Sequence, residues 1–339
     1  MRADEGQFGL LLLCLGLGSI IAMPVTGVIA ARKGARPMIL LGGLGLALVL
    51  PALAAAQTPL ILGASLFLFG ASLGTIDVAM NVHGAEIEGI ENRPLMSNFH
   101  AQFSIGGFFG AGLMTLLLSI GVPILGAALL GAVVAFAALL VYRTRLLSVS
   151  AGDPAPFSLP RGIVLLLAIL AAVTFLVEGA VLDWGALLII ERQLAPPESA
   201  GMGYILFSVA MVAARLSGDA IVLKLGEYPV LIAGGLATML GVAMVLVSPW
   251  PLVALSGFVL IGLGAANLVP IVFSAAGRQK IMPPGLAIAS VTTTGYAGIL
   301  LGPALIGFTA EATSLPTAYW LLALLVALVP LTARFVVRA

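Results

Sequence analysis

The sequence predicts an all-α integral membrane protein of about eleven transmembrane helices in two bundles, five helices followed by six. Three observations predict it. Hydrophobic residues fill 61% of the 339 positions and charged residues only 9%, against roughly 25% charged in a soluble globular chain. So few charges cannot coat a body surrounded by water, whereas lipid as the solvent removes the difficulty. The apolar residues also run on continuously for roughly 20 positions at a time, the length that crosses a hydrocarbon core, without the alternation of a membrane barrel strand. Finally, the basic residues gather in alternate gaps between these runs.

Breaks at charged and Pro/Gly clusters place the spans at 8–31, 37–56, 60–84, 98–119, 122–142, 162–190, 200–223, 229–248, 251–276, 285–309 and 316–336. The 41 glycines suit helices that pack closely in lipid. Arg32, Lys33 and Arg36, then Arg93, then Arg143, Arg145 and Arg161, then Lys224, Arg278 and Lys280, and last Arg334 and Arg338 all fall on one side; the loops of the other side carry only Arg192. By the positive-inside rule the basic side is cytoplasmic. A multi-pass protein of the cell (inner) membrane is expected, with its C-terminus inside and, for an odd number of spans, its N-terminus outside. The polar stretch 143–161, with Ser148, Ser150, Asp153, Pro154, Pro156, Ser158 and Pro160, reads as a linker. It divides an N-terminal bundle, 1–142, from a C-terminal bundle, 162–339.

A net charge of +1 gives no reason to expect a nucleic acid partner. The single cysteine, Cys14, has no partner in the chain for a disulfide. No cleavable signal peptide is expected, because Met1-Arg2-Ala3-Asp4-Glu5 mixes acid with base and the apolar run behind it is too long.

The second half echoes the first. Gly34-Ala-Arg-Pro37-Met-Ile-Leu-Leu-Gly42-Gly43 and Gly226-Glu-Tyr-Pro229-Val-Leu-Ile-Ala-Gly234-Gly235 share the pattern Gly-x-x-Pro-x-x-x-x-Gly-Gly, with Arg32 and Lys224 ahead of them. Gly74-Thr-Ile-Asp77 resembles Gly264-Ala-Ala-Asn267, which pairs Asn267 with Asp77. Parallel duplicated halves mark a transporter architecture with its site between the halves near mid-membrane. Equivalent halves would leave the first one helix short, the missing helix preceding residue 8.

These residues resemble the major facilitator superfamily. Gly27-Val-Ile-Ala-Ala-Arg32-Lys-Gly34-Ala-Arg36 is similar to that family's loop between helices two and three, G-x-x-x-D-R-x-G-R-R, with Ala31 where the family usually has Asp. Arg215-Leu-Ser-Gly218-Asp219 is similar to the family's R-x-x-G-D after helix eight. The resemblance covers the whole chain except the first helix, and it implies a major-facilitator-type two-bundle fold. Gly74-Thr-Ile-Asp77-Val-Ala-Met-Asn81 and Arg93-Pro-Leu-Met-Ser-Asn98-Phe-His100-Ala-Gln102-Phe resemble the fucose-permease-like branch. Glu178-Gly-Ala-Val-Leu-Asp183-Trp184 and Asn267-Leu-Val-Pro270-Ile-Val-Phe273-Ser274 look like a subgroup near MosC-type proteins.

Asp77 is the sharpest candidate for chemistry. It stands inside an apolar span, where an ionised carboxylate costs several kcal/mol, and Asn81 lies one turn on along the same face. Proton-coupled transport needs such a group, charged in one access state and neutral in the other. The resemblance to fucose-permease-like proteins implies proton and sugar handling at this acid. The bland alternative is a polar clamp between helices. Glu178 is the second coupling candidate. Asp183 and Trp184 follow it, although Glu178 and Asp183 are about 140° apart on a helical wheel. Trp184 could stack on a sugar ring or anchor the interface. Asn267 is mid-span, with Pro270 expected to kink its helix. Thr293 and Tyr296 offer hydroxyls, and His100 beside Gln102 offers a polar pair. With Asn81 these make the expected solute-binding set. No metal is expected, since His83, Glu86 and His100 match no zinc spacing. No cofactor is expected either. Gly27, Arg32, Gly34, Arg36, Arg215, Gly218 and Asp219 are expected to form a cytoplasmic gate. Gly70-x-x-x-Gly74, Gly106-x-x-x-Gly110 and Gly298-x-x-x-Gly302 are expected to mark close helix crossings.

The resulting expectation is a secondary active transporter, acting as a monomer in the bilayer. It would move a small polar solute such as a sugar or polyol by proton-coupled alternating access. Two other readings stay open. One is an efflux antiporter, against which the run Ser104–Leu113 lacks the proline of drug antiporters while Gly302-Pro303 supplies one in the second half. The other is a degenerate protein that transports nothing. An enzyme is not expected, because the chain has no paired-acid motif, metal signature or nucleophile elbow.

Overall fold

The computed structural model describes residues 5–148 and 158–339, and their side chains except those of 5–10 and 12. Of the expected linker, 149–157, with Ser150, Asp153, Pro154 and Pro156, lie outside the described residues.

The helices follow in chain order: α1 Glu5–Lys33, α2 Arg36–Ala55, α3 Pro59–Glu91, α4 Met96–Ser119, α5 Ile124–Tyr142, α6 Ile163–Glu191, α7 Met202–Leu225, α8 Glu227–Val247, α9 Pro251–Ala265, α10 Leu268–Arg278, α11 Pro284–Ala312, α12 Leu315–Val326 and α13 Leu328–Val337. Among the described residues there is no strand. Two pairs, α9 with α10 and α12 with α13, each make one crossing, so among the described residues eleven segments are long and apolar enough to span a membrane. This is a multi-pass, all-helical membrane protein.

Both broken crossings have the same cause. A proline has no N–H for the carbonyl four residues back. Pro270 frees the carbonyl of Ala266, and the helix breaks at Ala266–Asn267. Pro330 frees that of Val326, and the break falls at Ala327. The expected kink at Pro270 is therefore an interruption. The largest departure from the expected spans is α3, which runs on to Glu91. Its last turns are polar enough to leave lipid but hold nothing that ends a helix until Asn92, at φ 50°, and Pro94.

The described residues group into two compact units. One lies within Met1–Glu86, Phe103–Leu159 and Met282–Thr293; the other lies within Ile87–Gln102, Pro160–Ile281 and Thr294–Ala339. In the second unit Phe258, Ile261, Leu188, Ile189 and Tyr319 are completely or almost completely buried in one apolar core. There α8 meets α9 at reciprocal glycines, a Cβ on either Gly241 or Gly257 standing 2.6 Å from the other's carbonyl oxygen.

Contacts inside each unit reveal a repeat of 192 residues. Gly70 of α3 presses on the carbonyl of Leu15 in α1, and Gly262 of α9 presses on that of Phe207 in α7. A Cβ on Gly42 would stand 2.8 Å from Ile76 N and 3.0 Å from Ser72 O; one on Gly234 would stand 2.6 Å from Gly264 O and 2.9 Å from Leu268 Cδ2. The turn glycines Gly34 and Gly226 take φ 79° and 82°, and each N–H donates at 2.8 Å, to Ala30 O and Val222 O respectively. Every partner shifts by the same 192 positions. This register corrects the expected match of Gly74–Asp77 to Gly264–Asn267, which is two residues out. The counterpart of Asn267 is Thr75, not Asp77; a short Gly-x-x-polar match arises easily in glycine-rich sequence.

Gly70→Val and Gly262→Val are expected to force their helix pairs apart and to lower the melting temperature in detergent by comparable amounts, each costing about 1–3 kcal/mol. Thermal unfolding of the purified variants measures this.

Candidate functional site

In the first unit, the helical periodicity of α3 brings Asp77 and Asn81 together. Asn81 is buried, and its Nδ2 donates to Asp77 Oδ1 at 3.1 Å and to Asp77 O at 2.9 Å. Asp77 is partly accessible. Thr26 donates to Thr75 at 3.2 Å nearby in sequence, tying α1 to α3. At the basic end of α1, Gly27 lies against Ala289 and Gly285 of α11. Arg32 is exposed, and Arg36 donates to Ser148 Oγ at 2.6 Å. His83 faces Glu86, with 3.5 Å between Nδ1 and Oε2. Thr293 spends its hydroxyl on Ala289 O at 2.7 Å, as sequence alone allowed.

The second unit holds a denser polar cluster, assembled where α9 breaks. Arg215 of α7 is buried. Its Nη2 reaches Glu178 Oε1 of α6 at 2.9 Å, and its Nε donates at 3.2 Å to Ala266 O, the carbonyl that Pro270 leaves free. One guanidinium thus neutralises a membrane acid and satisfies a broken helix. Next along the break, Asn267 is buried, and its Oδ1 has no hydrogen-bond partner among the described residues. It presses on Gly218 of α7, where only glycine leaves room. Asn267 also borders a cavity of about 520 Å³, otherwise walled by residues such as Ala213, Ser217, Ala233, Gly234 and Leu263. His100 stacks at 39° on Phe273 with ring centres 5.6 Å apart, within electrostatic reach of Arg215.

One turn beyond Arg215, Asp219 is buried against the start of α4. Its carboxylate accepts the N–H groups of Ser97 and Asn98 at 2.9 and 3.0 Å, as well as Asn98 Nδ2. Glu88 Oε1 accepts from Leu95 N and Met96 N at 2.7 and 2.8 Å, while its Oε2 accepts from Ser274 Oγ at 2.6 Å. Two acids therefore share the N–H groups of one helix start, where negative charge is favoured. By the 192-residue register Asp219 and Ser97 correspond to Gly27 and Ala289, so the same crossing is charged in one unit and bare in the other.

The expected residues thus fall into separate places. Glu178, Arg215 and Asn267 meet around the helix break. Arg215, expected at the gate, is the partner of Glu178, while Asp219 and Gly218 bind the start of α4. Trp184 lies against Gly307 of α11, its Cζ2 3.0 Å from where a Cβ would stand. Asp183 and Gln102 are exposed, and Tyr296 is half-buried. Sequence reasoning passed over Glu88 and Thr75. For Glu88 the only signal was an acid just ahead of a helix start, across Asn92-Arg93-Pro94.

The family model described as Major Facilitator Superfamily matches residues 2–280. The chain is 45% identical over 338 residues to an uncharacterized MFS-type transporter of Yersinia pestis, covering 99% of this chain and 88% of that protein. It is 30% identical to the membrane protein MosC of Rhizobium meliloti, covering 93% and 78%. Among solved structures it resembles the E. coli fucose:proton symporter FucP, with a TM-score of 0.79 at 18% identity over 98% of this chain and 91% of that one. It also resembles the proton:xylose symporter XylE, with a TM-score of 0.75 at 13% identity over 98% and 87%.

Removing one partner of a buried ion pair strands the other charge, at about 3–5 kcal/mol. Glu178→Gln and Arg215→Met are each expected to destabilise on that scale, and the double substitution to recover much of the loss. Thermal unfolding of the three variants in detergent, read as a double-mutant cycle, checks it.

Proposed function

Since the chain belongs to the Major Facilitator Superfamily and is a membrane transporter, we propose that it moves a small polar solute, of the sugar or polyol class, by proton-coupled alternating access. The observation that carries this reading is Asp77. Among the described residues no ion pair joins it, and its hydrogen-bond partner is the neutral Asn81. An ionised carboxylate in an apolar span with no cation beside it bears its desolvation unaided, while its protonated form is neutral. Such a group can hold a proton through one access state and release it in the other.

Glu178 differs, because Arg215 offsets its charge. We assign that pair, with the Ala266 carbonyl and Asn267, to solute binding and to charge compensation as the proton leaves. Hydroxyl-rich solutes offer donors for the open Asn267 Oδ1 and acceptors for the guanidinium. The likeness to two sugar–proton symporters supports the solute class and the coupling ion. The moving parts in this proposal are the repeat halves, 1–142 and 162–339, and the contacts of Asp219 and Gly218 with the start of α4 belong to the gate, as do Gly27, Arg32, Gly34 and Arg36. The basic loops are assigned to the cytoplasmic face of the inner membrane, with the C-terminus inside.

In proteoliposomes with an imposed proton gradient, a panel of labelled monosaccharides and polyols is expected to include at least one that accumulates. Asp77→Asn is expected to reduce that accumulation to the level of protein-free liposomes while leaving solute exchange intact. Full accumulation by Asp77→Asn refutes the assignment. Accumulation inside everted vesicles only, driven by the opposite gradient, identifies an exporter.

A further inference from the structure

The glycine contacts of the second unit draw α7 and α8 onto α9. Gly262 of α9 presses on the Phe207 carbonyl of α7, and a Cβ on either Gly234 of α8 or Gly264 of α9 would stand 2.6 Å from the other's carbonyl oxygen. Two helices seated on a third leave a furrow along their outer side, which side chains ordinarily fill. Here it stays open as the cavity of about 520 Å³. Ala213, Ser217, Ile221 and Leu225, four residues apart on α7, form one wall; Ala233 of α8 lines the other and Leu263 lies on the floor. All six are exposed, so the cavity is a groove on the apolar outer face.

The 192-residue register places Ile21, Val25 and Leu41 of the first unit where Ala213, Ser217 and Ala233 line the groove. The second copy thus carries the smaller residue at three wall positions. The trade runs the other way at Leu263 against Ala71 and at Ala237 against Gly45. Hydrocarbon beside such a groove does not leave it empty, because a void forfeits the dispersion contacts of the atoms that line it.

The length and the mouth of the groove say which molecule fills it. From Ala213 to Leu225 the α7 wall rises about 18 Å, against about 15 Å of hydrocarbon in one leaflet. At the Leu225 end stands Lys224, exposed and in no ion pair among the described residues. The nearby acid, Glu227, is already held by Arg278 through two hydrogen bonds of 2.8 Å.

We propose that this groove binds one anionic phospholipid of the leaflet on the Lys224 side, with an acyl chain along α7 and α8 and the phosphate on the Lys224 ammonium. The chain supplies the bulk that Ile21, Val25 and Leu41 supply in the first unit. It braces α7 against α8 where their own side chains are too small to do so. The site is independent of the transported solute and of the coupling ion.

The test titrates dioleoyl phosphatidylglycerol, or phosphatidylcholine with the same chains, into the purified protein in lipid-free detergent and counts bound lipids by native mass spectrometry. The first phosphatidylglycerol is expected to bind about fivefold more tightly than the first phosphatidylcholine, the effect of one lysine beside an anionic lipid. Lys224→Gln is expected to erase that preference while phosphatidylcholine binding stays level. Ala213→Ile with Ser217→Val and Ala233→Leu, which gives the groove the first unit's residues, is expected to abolish the distinct first site and to leave the melting temperature without lipid level or higher. Ala233→Leu alone weakens the first phosphatidylglycerol, and serves where the triple variant does not fold. Ala135→Ile with Ala138→Ile, at exposed positions of α5, changes neither binding nor melting. Equal binding of the two lipids by the unsubstituted protein overturns the proposal, leaving only annular lipid at the groove. So does a first phosphatidylglycerol that binds undiminished once the groove is filled. Competition by glycerol 3-phosphate overturns it too, by giving Lys224 to a free anion.

Discussion

Hydrocarbon offers a polar group nothing to bond to, so each one that enters the membrane needs a partner carried by the fold itself. The Ala266 carbonyl is the clearest case. Pro270 removes its helical donor, and the guanidinium of Arg215 takes that donor's place at 3.2 Å while reaching Glu178 at 2.9 Å. One cation therefore makes both a broken helix and a membrane acid tolerable. Without the arginine the break would expose a bare carbonyl, and without the break the arginine would have one partner fewer. Asp219 and Glu88 obey the same rule at the start of α4, where they accept four N–H groups that no helical carbonyl can reach.

Asp77 and Asn267 are matched less fully, as are Trp184 Nε1 and Arg192 Nε, which are buried with no hydrogen-bond partner among the described residues. Asp77 meets a neutral amide rather than a cation, and the Asn267 carbonyl oxygen has no donor among the described residues.

The crossings were legible in the sequence because length and continuous apolarity are local properties, and lipid imposes both. A disturbance at Pro270 was legible for the same reason, since a missing N–H acts on its own helix, although the sequence pointed to a kink and the structure has a break. The pairing of Glu178 with Arg215 was not, because the two lie on different helices and apolar spacing says nothing about which faces meet. The capping role of Glu88 was hidden in an acidic run that reads equally well as solvated charge. The repeat was visible, but its register through the second crossing was misread by two residues. A glycine and a polar residue three apart fix no alignment, whereas the backbone oxygen beneath Gly70 or Gly262 does.

The 192-residue register also provides a way to ask where the halves have diverged. Positions that do only scaffolding should tolerate the same substitutions in both copies, so a saturation scan would trace one profile twice. Departures from that echo would fall where duplicated positions took up different tasks: Met23, completely buried, against Arg215; Thr75 against Asn267; Gly27 against Asp219. In each of these pairs the second copy has the stronger polar group, whereas at Asp77 against Val269 the first copy holds the acid, so the two halves have each kept or gained polar groups at different levels of the same scaffold.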